Sequence, residues 1–290
     1  MIVKFLERFL NIMKTKILTN TPNKYNLISV IYILFLSQIS TGFNSKARIK
    51  GIYKFNNFEF KSLTEIEDKN GNRVYTQNFG RSNRFISGFD HAYDRIWDQY
   101  LVTNFEFQNS KPIVIDIGAN IGEFVIAAAQ RNAHKIYAFE PDPACFLCLE
   151  RNTMNIFEKV NLYNFPLSNK TEIQKFYLAT ENADSSLVPP TTSSKSTNLL
   201  VKRLDTIQDI QNLTYIDLLK MDAEGAEPEV LEGLGDLVYN IGKFVIDVGP
   251  ERNGKSTDKM VMNFFANKKI QSEFKVHKSG RKLVHAGSYL

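Results

Sequence analysis

From Lys111 onward the sequence predicts an α/β fold: a mostly parallel sheet with helices on both faces, preceded by an N-terminal extension over residues 1–110. Three observations predict it. Short apolar runs alternate with segments of helical spacing, which is the pattern of βαβ units. Several of those runs close on an acid. A glycine turn follows the first of them, at Gly118.

The extension comes first in the chain. Residues 1–18 (MIVKFLERFLNIMKTKIL) are amphipathic at helical spacing, which suits docking or attachment to a surface. Asn20-Thr-Pro-Asn23 breaks that helix from the next. The most apolar stretch, Leu27–Leu36 running on weakly to Ile39, is shorter than the roughly 20 residues a spanning helix needs. With 26 residues ahead of it, it also fits a signal peptide poorly. It reads as a buried helix, with attachment to a membrane through residues 27–39 as the alternative. Residues 50–80 are short aromatic-rich runs, with Asn70-Gly71 as a hairpin turn. Residues 88–105 read as an amphipathic helix leading into the main domain, residues 111–290.

In that domain Pro112–Asp116 is a strand, Gly122–Arg131 a helix, Lys135–Phe139 a strand ending at Glu140, and Pro143–Met154 a helix. Val160–Phe165 and Tyr215–Met221 are strands, the latter ending at Asp222; Pro228–Leu237 is a helix and Phe244–Val248 a strand. Residues 180–199 are rich in Ser, Thr and Pro. They read as a substrate lid or as a mobile surface insertion.

Charge and cysteine content narrow the function. The net charge is +6 over residues 1–110, −7 over 111–250 and +6 over 251–290. A binder of phosphate backbones concentrates positive charge at its working site, so the acidic centre argues against nucleic acid as a partner. The basic ends suit an anionic substrate or an acidic membrane surface. Two cysteines exclude a disulfide framework, and a reduced, cytoplasmic setting is expected. Cys145 and Cys148 form a C-x-x-C on a helix without a second pair for zinc, and read as packing.

The segment Val114-Ile-Asp-Ile-Gly-Ala-Asn-Ile-Gly-Glu-Phe124 carries the chemistry: a buried strand, a glycine turn, then a helix start with unpaired N–H groups. Gly118 permits the sharp turn, and Gly122 close packing of helix on strand. A dinucleotide fingerprint needs a middle glycine to admit pyrophosphate, and Asn120 stands at that position. S-adenosylmethionine has no phosphate. Asp116 can face its cationic tail, and Asn120 can hydrogen-bond its carboxylate or amine. Glu140, at the tip of the second strand, can accept from both hydroxyls of a ribose. Taken singly, each acid could be no more than a turn cap. In Lys220-Met-Asp-Ala-Glu-Gly-Ala-Glu-Pro-Glu229, Asp222 occupies a strand tip and Glu224 the turn beyond it, while Glu229 reads as a partner of the helix dipole.

On these residues the chain resembles the FkbM-type methyltransferase family. The matching pieces are VIDIGANIGEF (114–124), AFEPDP (138–143), LERN (149–152), SSL (185–187), RLDTI (203–207) and KMDAEGAEPEVLEG (220–233), about half of the chain. The resemblance implies a Rossmann-like class I methyltransferase with a seven-stranded sheet. It also implies S-adenosylmethionine as donor, and O-methylation of a small-molecule, sugar or glycan hydroxyl or of a secondary metabolite. Asp247 stands where the family often shows Glu, and residues 1–110 carry no motif that names a substrate.

A hydroxyl acceptor must lose a proton, and the candidate bases are Asp222, Glu224 and His91. Asp222, Glu224 and Asp247 are also hard oxygen ligands at strand ends, though the reading assigns no metal. Two other functions compete: a nicotinamide-dependent oxidoreductase, disfavoured by Asn120, and a decayed domain serving as an interaction surface, disfavoured by acids at three strand tips.

Overall fold

The structure, a computed structural model, describes residues 46–288 except 51–52, 56–57, 61–62, 69, 78, 86, 179–184, 191–194 and 253. The expectations for residues 1–18, 20–23 and 27–39 lie outside the described residues. The chain divides into two compact units, with the main boundary between Phe89 and Asp90.

In the first unit, β1 (Lys46–Lys50), β4 (Leu63–Glu67) and β5 (Arg73–Thr76) form an antiparallel sheet in the order β1-β4-β5. The short strands β2 (Tyr53–Phe55) and β3 (Phe58–Phe60) intervene in sequence. The expected turn joins β4 to β5. Asp68 accepts from the N–H groups of Asn70 and Asn72, both at 2.9 Å, and Gly71 takes a φ of 82°.

The second unit begins with α1 (Phe89–Gln99), followed by β6 (Ile113–Ile117), α2 (Glu123–Gln130), β7 (Lys135–Phe139), α3 (Pro143–Asn152) and β8 (Val160–Tyr163). After a hairpin of β9 (Glu172–Tyr177) and β10 (Ser196–Val201) come β11 (Leu218–Met221), α4 (Glu227–Glu232), β12 (Lys243–Asp247), α5 (Asp258–Asn267), β13 (Ser272–Val276) and β14 (Lys282–Gly287). The sheet has seven strands in the order β13-β14-β12-β11-β6-β7-β8, as the resemblance implied. β14 alone runs against the others, pairing antiparallel with both β12 and β13.

Alternation along the strands separates the two faces. Ile115, Ile117, Leu219, Met221, Phe244 and Ile246 pack with Val230 and Leu231 of α4 and Val261 and Phe265 of α5. The opposite face carries Val114, Asp116, Lys220 and Val245 and meets α1 and α2, with Trp97 stacked on Phe124 at 5.0 Å. That packing joins α1 to this unit. Two features went unforeseen. Part of the Ser/Thr-rich stretch is β10, registered against β9 from Ser196↔Tyr177 to Val201↔Glu172. The edge hairpin β13–β14 arises in residues 251–290, which carried no predicted strand. Phe274 and Val276 of its outer strand are exposed, so that strand lacks the apolar run of a buried one.

Candidate active site

The site is built on the carboxyl ends of β7, β6 and β11. After Ile117 the chain turns under two bonds, in which Gly118 N–H and Ala119 N–H both donate to Phe139 O, at 3.0 and 2.9 Å. Gly118 has φ 74°, and a Cβ there would sit 1.9 Å from the carbonyl oxygen of Asp222. The glycine is required because the tip of β11 presses on the turn. Gly122 also has a positive φ, 93°, but the close neighbour is Leu149 of α3 at 2.8 Å, not the strand.

Asp116 and Asn120 differ from expectation. Asp116 is in register with Lys220 of β11, is fully buried, and meets the Lys220 ammonium at 2.9 Å. Burial pushes its carboxyl up, against the pull of Lys220. Neither oxygen accepts an aligned hydrogen bond. Sealed beneath the turn, Asp116 faces a lysine of its own chain. Lys220 also donates to Gly118 O at 2.8 Å and lies over the Tyr100 ring at 5.1 Å, so it ties the turn to β11. Asn120 takes φ 51°, and its side-chain oxygen accepts from Ile121 N–H at 3.0 Å, so that oxygen serves the turn.

Glu140 occupies the expected strand tip. One carboxyl oxygen accepts from Asn120 N–H at 2.7 Å and the other from Asp142 N–H at 2.8 Å, and among the described residues no cation bonds to it. Burial, then the charge of Asp142, pushes it up to about 8. Each oxygen keeps a lone pair for a further donor. Asp142 caps α3 by accepting from Ala144 and Cys145 N–H, and its other oxygen accepts from Ser185 Oγ at 2.5 Å. Ser186 Oγ donates to Glu224 O at 2.7 Å. The Ser185-Ser186 pair thus links the β7 tip to the turn after β11.

At that turn Asp222 accepts on one oxygen from Tyr100 Oη at 2.7 Å and from Arg281 Nη1 at 3.0 Å. Burial opposes its charge, but Lys220 and Arg281 outweigh burial and hold it below the usual carboxylate range. Arg281 Nη1 also meets Asp247 at the β12 tip. Asp247 is pushed up, first by burial and then by Asp222. Asp222 and Asp247, weighed as metal ligands, instead share this guanidinium. Glu224, half-buried, takes φ 51° on the turn. Glu227 closes the turn from beneath, accepting from Ala223 and Gly225 N–H at 3.1 and 2.9 Å and from Thr257 Oγ1 at 3.0 Å. Glu229 pairs with Arg252, a side-chain contact beyond the dipole role.

His91 is not brought to the site. It is exposed in the first turn of α1, nine residues and about 13 Å along the helix from Tyr100. That end of α1 is tied by Asp90 and Asp94 to Gln130 and Arg131, at the end of α2 remote from the glycine turn. Cys145 and Cys148 are buried in α3, and burial pushes the Cys148 thiol up. The sequence reading missed Tyr100, Lys220, Arg281 and Glu227. Lys220 left a signal, as a lone cation in an otherwise apolar strand two residues before a tip acid, and Glu227 stood in the matched piece 220–233 beside Pro228.

In comparison with known proteins, residues 116–271 match the Methyltransferase FkbM domain. Methyltransferase sdnD of Sordaria araneosa is 28% identical over 190 residues, covering 54% of this chain and 70% of the relative. Methyltransferase 1 of Beauveria bassiana (strain ARSEF 2860) is 27% identical over 184 residues, covering 51% and 69%. Among solved structures, a SAM dependent methyltransferase from Aquifex aeolicus aligns with a TM-score of 0.40 and 11% identity, covering 67% of this chain and 88% of that one.

Proposed function

The chain belongs to the FkbM methyltransferase family, and from that premise we propose that it moves a methyl group from S-adenosylmethionine to a hydroxyl of a small polar acceptor, a sugar, glycan or secondary metabolite. The observation that carries the donor assignment is Glu140. Its carboxyl is buried, among the described residues no cation bonds to it, and each oxygen holds one backbone donor and has room for one more. A ribose diol supplies two such donors. Asn120 stands where a pyrophosphate would need glycine, and the charge of Asp222 beside the turn favours a sulfonium over a phosphate.

When bound, the donor supplies a methyl group on a good leaving group. The chain's own residues then have two tasks. One is to hold the reactants in line, worth about 7–11 kcal/mol in favourable cases. The other is to take the acceptor's proton. Asp222, held ionised by two cations and bonded to a phenol, is a weak base suited to orientation. Glu224, on the turn beyond it, is the base in this reading. Beside that turn lies a cavity of about 570 Å³ lined by Ser168, Asn169, Gln174, Val188, Arg252 and Lys255. Its amides and hydroxyl suit a polar acceptor, beside the Glu229–Arg252 pair and the apolar Leu187 and Met260 of the same wall, and its size is that of a small-molecule site.

The test has two parts. S-adenosylhomocysteine should raise the melting temperature and NAD should not; the reverse would overturn the donor assignment. With labelled donor and a panel of sugars, glycans and hydroxylated metabolites, Glu224→Gln should slow transfer by about 10²–10⁴-fold with S-adenosylhomocysteine affinity unchanged. Full turnover in that variant removes Glu224 as base.

A further inference from the structure

We propose that Arg281 and Asp222 form the receptor for the amino-acid end of the donor, the guanidinium taking its carboxylate and Asp222 its ammonium. The proposal rests on the S-adenosylmethionine reading above.

The geometry divides each side chain into a used and an open half. All the bonds of Arg281 run through Nη1: to Tyr100 Oη at 3.0 Å, to Asp222 Oδ2 at 3.0 Å, and to Asp247 Oδ2. Among the described residues its Nε and Nη2 donate to nothing, and the side chain is 25% exposed. That outer edge is the fork that grips a carboxylate with two parallel bonds. Asp222 likewise uses only Oδ2 for its side-chain partners; its other oxygen is uncommitted, and the side chain is 20% exposed. An open donor edge therefore sits beside an open acceptor oxygen, which is the complement of a zwitterion. Tyr100 and Asp247 hold the guanidinium in place from behind.

Position agrees with this pairing. The strand order places Glu140 at the β7 tip and Asp222 at the β11 tip, with β6 between them. Two strand spacings are about 9–10 Å, comparable with the reach from a ribose to the end of a homocysteine tail. Asp222 abuts the glycine turn over which such a tail would run. The other candidate acid, Asp116, is sealed by Lys220 and unavailable. Tyr100 and Arg281 both lie outside the matched segment 116–271, so the flanks of the domain would complete its donor site.

Titration calorimetry on the full chain tests this without an acceptor. The probes are S-adenosylhomocysteine, its decarboxylated analogue, and 5′-methylthioadenosine, which lacks the amino-acid tail. Wild-type protein should prefer S-adenosylhomocysteine over the decarboxylated analogue by roughly 10- to 100-fold. Arg281→Gln should erase that preference and leave affinity for the analogue nearly unchanged. Arg281→Lys, which keeps the charge and loses the fork, should fall between. Asp222→Asn should remove the advantage of the decarboxylated amine over methylthioadenosine. Equal weakening of S-adenosylhomocysteine and its analogue in Arg281→Gln would overturn the proposal. If that variant does not fold, an undiminished preference in Arg281→Lys does the same. Wild-type protein that binds methylthioadenosine as tightly as S-adenosylhomocysteine overturns this receptor alone. Protein that ignores all three nucleosides overturns the donor assignment and the receptor with it.

Discussion

Lys220 serves the site by holding its frame, pairing with Asp116 and donating to Gly118 O. Its ammonium is 4% exposed, and it neutralises a carboxylate with no exposure at all. Breaking a buried pair on one side leaves a charge that nothing compensates. Lys220→Met should cost about 3–5 kcal/mol in urea unfolding, and Asp116→Asn in the same chain should recover most of that loss. Equal losses in the single and double variants would show that the pair is not what matters. Gly118→Ala is a separate case. The added methyl would meet a backbone oxygen at 1.9 Å, at a φ of 74° that alanine resists. Backbone cannot move aside as a side-chain end can, so the expected loss is about 3 kcal/mol or more, read from the same urea curves.

The element that shapes the site is the turn from Asp222 into α4. Its backbone N–H groups are satisfied by Glu227, buried beneath it and pushed up to about 8 mainly by that burial. A carboxyl raised in this way stabilises the fold below its unfolded value near 4.5, and that contribution is lost as pH rises through about 8. Glu227→Gln keeps an acceptor for the turn and carries no charge. Its melting temperature relative to wild type should therefore climb from pH 5 to pH 9, and a difference independent of pH would count against this account. Glu227→Ala should instead lose stability at every pH, because the buried Gly225 N–H and the part-buried Ala223 N–H lose their acceptor, at about 1–3 kcal/mol for the buried one. Element boundaries were legible where the cause is local. β7 lies where the apolar run Lys135–Phe139 placed it. The helix expected over 228–237 stops at Glu232, and Gly235 just beyond it takes a φ of 54°, while Gly233 passes so close to Ser168 that a Cβ would lie 2.2 Å from its carbonyl oxygen. No neighbour in sequence announces that contact.

For the whole molecule, the buried acids predict an unusual pH response. Glu140 and Glu227 are both raised to about 8, whereas burial lowers His285 to about 4. His285 favours the fold as pH rises through its window of about 4 to 6.5, and the two acids oppose it. Above 6.5 Glu140 and Glu227, with Asp247 raised to about 7, still lose protons that the unfolded chain has already lost, so the melting temperature of ligand-free protein should fall between pH 6.5 and 8. A flat or rising curve there would mean that these carboxyls are ionised at ordinary pH. The alternation of strands and helices, the glycine turn and the acids at three strand tips were determined by the sequence alone, because side-chain period and turn chemistry are written in adjacent residues. Which partner each acid meets was decided only by the tertiary structure. Strand order and register set Lys220 against Asp116, and bring Tyr100 and Arg281, 181 residues apart, onto one carboxylate. Pairing at that separation depends on how strands are ordered across the sheet, and no local pattern encodes that order.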